Sequence, residues 1–209
     1  MGHTGTTHQT ISDSVTGSAM RGRRFTRRER PFAAMHRERW QSLLRDPSKH
    51  IYLLSDSGKS TQRQFLRDIA LVMDYLISEL EFRTRKVGVA TRRGFLLRTW
   101  ANVAEGTDLP VWRVKQCVSF AKQRGWLTST QPRHNDNGQW YGLASIKRVT
   151  ERYFTDLGLR GAFHKAKTAA SETIKHMAIR TGVHVRYLLT PITLLRKFAR
   201  RHDQSPLKR

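Results

Sequence analysis

"PVWRVKQCVSFAKQRG", residues 110–125, runs directly into "WLTSTQPRHNDNGQWYGLASIKRV", residues 126–149, and the reading of this junction decides the fold. In the first half a proline opens and a glycine closes a run in which Val111, Val114, Val118 and Ala121, with Cys117 beside them, recur at three- and four-residue spacing. Proline costs nothing where a helix starts, because the first N–H groups have no partner within the helix, and glycine readily adopts the left-handed conformation that ends one. The spacing therefore predicts a helix that buries this stripe. The second half reads as two strands joined by the polar tip "RHNDNG", in which Asn137-Gly138 is a common turn pair.

Upstream, "GFLLRTWANVAEGTDL", residues 94–109, predicts a short helix ending near Glu105 and a turn from Gly106 to Leu109. Helix, tight turn, helix and β-hairpin follow one another as in a winged helix-turn-helix. From Ser60 to about Arg83 the positions Phe65, Ile69, Val72, Met73, Leu76 and Leu80 mark the longest amphipathic helix. "AAMHRERWQSLLRD", residues 33–46, predicts another helix, stopped near Pro47.

The expected fold is mainly α with a small β-hairpin: a winged helix-turn-helix over residues 60–160, with flanking helices and a disordered N-terminus. Residues 1–20 form the disordered tail, 21–32 an arginine-rich arm, 33–59 a short helix and linker, and 161–209 a basic helical C-terminal segment. Within that last segment a helix is expected around Ala166 to Ile179. An apolar stretch from Val183 to Phe198 follows, broken by Pro191, and Arg196, Lys197, Arg200 and Arg201 make the end basic again.

Charge narrows the function. Lys and Arg number 39 against 16 Asp and Glu in 209 residues, a formal net charge of +23. Such an excess repels itself unless a polyanion is present, which points to nucleic acid ahead of an anionic membrane surface. No run approaches the roughly 20 apolar residues that span a bilayer, and the first twenty residues lack the apolar core of a secretory signal. A single cysteine, Cys117, forms no intrachain disulfide and suits a reducing cytoplasm.

On the helix of residues 110–125, Trp112, Gln116, Ser119 and Gln123 fall opposite the apolar stripe, flanked by Arg113 and Lys115. This face carries no carboxylate of its own. Arg and Lys suit guanine edges, Gln suits adenine, and Ser and Lys suit phosphates, so the face is the candidate reader of double-stranded DNA. Arg133, His134 and Asn135 at the hairpin tip are candidates for contacts at a groove edge. In "RGRRFTRRERPF", residues 21–32, Arg23, Arg24, Arg27 and Arg28 would lie along phosphates or enter a minor groove.

Catalytic chemistry finds little support. "IYLLSDSGKST", residues 51–61, resembles a nucleotide-binding loop at Gly58-Lys59-Ser60-Thr61, but Leu53 stands where the first glycine belongs. Ser60 or Thr61 is instead expected to cap the following helix. The nine histidines show no metal-ligand pairing, and one cysteine makes no zinc site. Asp68, Asp74, Glu79 and Glu81 are expected on a solvated helix face, Trp100, Trp126 and Trp140 in the core, and Tyr153 and Tyr187 as packing residues. Neither an enzymatic activity nor a cofactor is expected.

After the helix ending "AKQRGW", the run "LTSTQPRHNDNGQWYGLASIKRVTERYFTDLGL" resembles the winged-helix region of plasmid replication initiators of the IncFII RepA type. In that family strand, wing and strand lead into a "T..FF..LG" helix, matched here by Thr150, Tyr153, Phe154, Leu157 and Gly158. The resemblance covers roughly residues 60–165. It implies binding to specific DNA at a plasmid replication origin, in a bacterial cytoplasm and associated with nucleoid or plasmid, and recruitment of host replication proteins; monomer and dimer both stay open. The same fold also serves transcriptional and copy-number regulators, and charge alone would serve a non-specific nucleic-acid-binding protein.

Overall fold

Helix α1 (Pro31–Arg45) begins at a proline and ends before Pro47, which opens a short 3₁₀ turn; a second such turn covers Ile51–Leu53. The computed structural model describes residues 30–54, 58–136 and 138–195. Leu54 then bridges to Ser60, and helix α2 (Arg63–Ser78) starts after Gln62. Gln62, rather than Ser60 or Thr61, is therefore the N-cap, and it makes no side-chain cap bond. The apolar run before Gly58 is a 3₁₀ turn rather than the strand a nucleotide-binding loop requires.

After α2 the chain departs from the expected helices. Three strands follow: β1 (Leu80–Glu81), β2 (Lys86–Thr91) and β3 (Gly94–Leu97). "GFLL" is thus a strand; α3 (Trp100–Thr107) starts only at Trp100, capped by Thr99, whose side chain and that of Asn102 exchange bonds with each other's backbone N–H. Helix α4 (Val111–Gln123) leads into β4 (Leu127–Thr130), β5 (Arg133–Asp136), β6 (Gln139–Gly142) and β7 (Ile146–Val149). The expected two-stranded hairpin is therefore interrupted. Its base, β4 with β7, joins β2 and β1 in a five-stranded antiparallel sheet that includes β3, while β5 and β6 form a separate ribbon beyond Pro132. The fold mixes helix with antiparallel sheet, a larger share of strand than mainly α with one small hairpin.

Helices α5 (Glu151–Asp156), α6 (Arg160–Thr181) and α7 (Val185–Leu188) follow, and the described residues end in a helical stretch over 192–195. The main core draws on α1, α2, α3, α4, α5 and the start of α6, with Trp126 and Tyr153 its largest fully buried side chains. Thr150 caps α5, Tyr153, Phe154 and Leu157 are fully buried, and Gly158 takes φ 70° to end the helix. Each residue of that motif thus has a folding role. Tyr187, in contrast, is exposed rather than packed.

A buried polar chain ties α1 to α2 and α5. Trp40 Nε1 donates to the Tyr153 hydroxyl at 2.8 Å, and that hydroxyl lies 2.6 Å from His36 Nε2. Both ring tautomers satisfy this contact, because the hydroxyl can donate to Nε2 or accept from it with its second lone pair; Nδ1 lies 3.6 Å from Asp74 Oδ1. Burial lowers the His36 pKa and holds the ring neutral. A second, smaller core joins Phe95 of β3 to Ile174, Leu188 and Leu189.

Candidate nucleic-acid interface

The turn between α3 and α4 is built by close packing. Gly106 lies inside α3, and a Cβ there would overlap the ring of Tyr75 on α2. Asp108 then adopts the left-handed conformation, φ 56°, and Pro110 stands at the N-cap of α4. At the other end Gly125, φ 69°, donates to Lys122 O at 2.9 Å and Trp126 donates to Ala121 O at 2.8 Å, the paired bonds of a Schellman cap. These two ends fix which face of α4 points outward.

Val114, Cys117, Val118 and Ala121 are buried, joined by Phe120. Burial pushes the Cys117 thiol up to about 12, so it stays protonated. Val111, expected in this stripe, is 42% exposed, because it sits in the first turn, ahead of the residues that α2 and α3 cover. Trp112, 61% exposed, and Lys115, Gln116, Ser119 and Gln123 all face outward.

Arg113 is held from three sides. Its Nε donates to Asp68 Oδ2 at 2.7 Å, its Nη1 donates to Gln116 Oε1 at 3.0 Å, and the guanidinium stands 4.7 Å from the Phe65 ring centroid. Asp68 is buried and also accepts from Gln64 Nε2 at 3.0 Å. The face that lacks a carboxylate in its own helix thus has one supplied by α2. A guanidinium has donors only, so the Gln116 oxygen turns toward it and the Gln116 amide N–H₂ turns outward. Between the start of α2 and α4 runs an open groove lined by Gln62, Phe65, Gln116, Ser119 and Gln123.

The ribbon beyond β4 and β7 presents a second outward surface. Arg133 and Asn135 are exposed and His134 is half-buried. Asn135 Oδ1 accepts from Gly138 N–H at 3.0 Å, which engages that oxygen in the turn. Trp140 and Tyr141, opposite Asn135 and His134 in the register, are 68% and 50% exposed. Trp140 is therefore not a core residue, and every residue of β6 is exposed. The sequence does signal it, as two adjacent aromatics following a turn that leaves the sheet.

The four acidic residues expected on a solvated face are partnered instead. Besides Asp68, Asp74 accepts from Arg37 at 3.1 Å and Glu79 pairs with Arg98 at 2.9 Å. Glu81 accepts from the N–H groups of Arg83 and Thr84. Burial acts to raise the Asp74 pKa, but His36 and Arg37 outweigh it and hold the carboxyl below its usual value. Asp68, Asp74 and Glu79 thus hold Arg113, Arg37 and Arg98 in place, and Glu81 closes a turn.

Lys147 on β7 is a further buried cation, 2% exposed. Its Nζ donates to Arg98 O at 2.6 Å and to Ser145 Oγ at 2.9 Å, and lies 4.3 Å from the Trp100 ring centroid. Burial, with a smaller effect of Lys122, lowers its pKa to about 8.

Arg23, Arg24, Arg27 and Arg28, with Asn137 and the basic residues from Arg196 onward, lie outside the described residues. Among the described residues no three His, Cys, Asp or Glu side chains gather to hold a metal ion, and no helix is long and apolar enough to cross a membrane. No protein-family model matches the chain, and neither curated sequences nor solved structures give a significant match.

Proposed function

We propose that the chain is a sequence-specific double-stranded DNA-binding protein of the winged helix-turn-helix type, with α4 as the helix that enters the major groove. The observation that carries this reading is the outward face of α4: Trp112, Lys115, Gln116, Ser119 and Gln123 are exposed together, and an internal ion pair orients Gln116. Gln116, Ser119 and Gln123 contact base edges, and Lys115 contacts phosphate. Arg113 acts as the residue that holds Gln116 rather than as a reader. The β5–β6 ribbon is the wing, offering Arg133, His134 and Asn135 to the groove edge.

Affinity and discrimination come from different groups. The arginine-rich arm and the basic surface supply sequence-independent attraction by counterion release; neutralising ~6 to 10 phosphates makes affinity fall by about 10³ to 10⁵ between 50 and 200 mM salt. Each bidentate contact from α4 adds roughly 1–3 kcal/mol of discrimination per base pair. The reading involves no cofactor and no catalytic step.

The biological setting we propose is initiation at a plasmid replication origin, with recruitment of host replication proteins, on the strength of the resemblance carried by Thr150, Tyr153, Phe154, Leu157 and Gly158. Footprinting the chain on overlapping fragments of the replicon that encodes it tests this setting. Protection of repeated sites within the origin, lost with Gln116→Ala, supports an initiator. Protection of a promoter alone assigns the protein to transcriptional or copy-number control.

A further inference from the structure

We infer that the β2–β3 hairpin is a second contact to the DNA backbone, with Arg92 and Arg93 at its turn gripping phosphates beside the groove that α4 enters; the inference rests on the DNA-binding reading above. The first observation is direction. β2 runs antiparallel to β7 from the Lys86–Arg148 pair, so β2 continues toward its turn in the direction in which β7 leads back to the wing. Both hairpins therefore leave the same end of the sheet.

The second observation is the turn itself. Thr91 pairs with Gly94, which takes φ 110°, and the two residues between them are exposed arginines. Among the described residues no carboxylate forms an ion pair with either. Turns of this kind ordinarily carry Gly, Asn or Asp, whose local bonding and backbone freedom stabilise them. Here Thr91 and Gly94 supply both, Thr91 Oγ1 accepting from Arg93 N–H at 3.2 Å and donating to Gly94 O at 2.7 Å, so the two arginine side chains add nothing to the turn and repel each other until an anion lies across them.

The third observation is that the hairpin is braced. Phe95 is fully buried in the second core, its N–H donates to Thr190 O at 2.8 Å, and it bridges to Pro191. Lys86 Nζ donates to Leu189 O at 2.6 Å. A lone two-stranded hairpin is marginal in water, and here the segment after α6 supplies the apolar cover that fixes it. A stiff, doubly cationic prong beside the wing suits a rigid, regularly charged duplex.

The test compares the full chain with an Arg92→Gln, Arg93→Gln variant, titrating each against a fluorescent random-sequence 40-base-pair duplex over a range of salt. Both arginines are exposed, so unchanged melting confirms that the variant is folded. The slope of log K against log salt is expected to become shallower by about 1.8, since each phosphate contact contributes about 0.9. On a duplex carrying the site selected by the wild type, the ranking of single-base variants should stay the same, and the hydroxyl-radical footprint should shorten on one side. An unchanged slope and footprint overturns the prong, even where Gln116→Ala removes sequence preference and the α4 reading stands. So does an equal change of slope with Lys165→Gln and Arg180→Gln on α6, which would make the effect one of net charge. Binding to anionic phospholipid vesicles with none to duplex DNA overturns the prong and the DNA reading together.

Discussion

Asp68 of α2 and Arg113 of α4 meet at 2.7 Å, a buried carboxylate joined to a guanidinium that in turn holds the Gln116 oxygen. The register of the outward face of α4 is thereby tied to the helix beneath it. Asp68→Ala leaves a half-buried cation without its partner, which costs about 2–4 kcal/mol in denaturant unfolding. It also frees Gln116 to rotate, so discrimination at one base pair should relax while the salt slope is retained. Arg113→Lys restores charge without the fork and should not recover discrimination. Competition binding with single-base variants of the site checks both; full discrimination in Asp68→Ala would contradict the positioning role.

Tyr153→Phe keeps the ring and removes the hydroxyl between Trp40 and His36. Two buried polar atoms, Trp40 Nε1 and His36 Nε2, lose their partner. At about 1–3 kcal/mol for each orphaned group, the expected loss is about 2–6 kcal/mol, read from unfolding midpoints. A loss under about 0.5 kcal/mol would show that the polar chain does not hold α1.

Gly106→Ala separates two effects of opposite sign. Inside a helix alanine is favoured over glycine by about 1 kcal/mol, but here the added Cβ meets the buried ring of Tyr75. Overpacking costs about 1–3 kcal/mol, so the net change should be a loss of up to about 2 kcal/mol. Thermal unfolding decides it, since a gain in stability would mean that α2 and α3 are not in this close contact.

How much of this was legible in the sequence follows from which interactions are local. The faces of α2 and α4 were readable because helical spacing and the punctuation at Pro110 and Gly125 are short-range signals. Strands β1 to β3 were not, because Leu80 continues the apolar stripe of α2 and "GFLL" is too short to distinguish strand from helix. Asp68 and Arg113 are 45 residues apart, and no periodicity links them. Trp126 and Trp140 look alike in sequence; one lies within the aromatic cluster and the other on an exposed strand of the ribbon.

Lys147 gives a pH test with a definite sign. Its folded pKa, about 8, lies below the 10.5 of the unfolded chain, so the unfolded state binds more protons between those values. The buried ammonium therefore lowers stability in full below about pH 8, and this cost is relieved as pH rises toward 10.5. Comparing denaturant unfolding of the wild type with Lys147→Met, the difference should shift in favour of the wild type across that window. A pH-independent difference would mean that Lys147 titrates normally.

Trp140→Ala should leave stability within about 0.5 kcal/mol, because the indole packs on little. If the wing lies against DNA, stacking worth about 1–3 kcal/mol is lost and affinity falls by about 5- to 150-fold. Quenching of wild-type tryptophan fluorescence on adding duplex, reduced in the variant, locates the contact. Equal affinities would remove Trp140 from the interface.

The central claim is that α4 reads sequence, and the most direct measurement is selection of double-stranded DNA from a random pool at about 150 mM salt, where exposed charge is partly screened. The account expects one defined motif, enriched by the wild type and lost or altered at particular positions with Gln116→Ala and Ser119→Ala. Tight binding with no motif, or a motif indifferent to both substitutions, would contradict it and leave a charge-driven nucleic-acid binder.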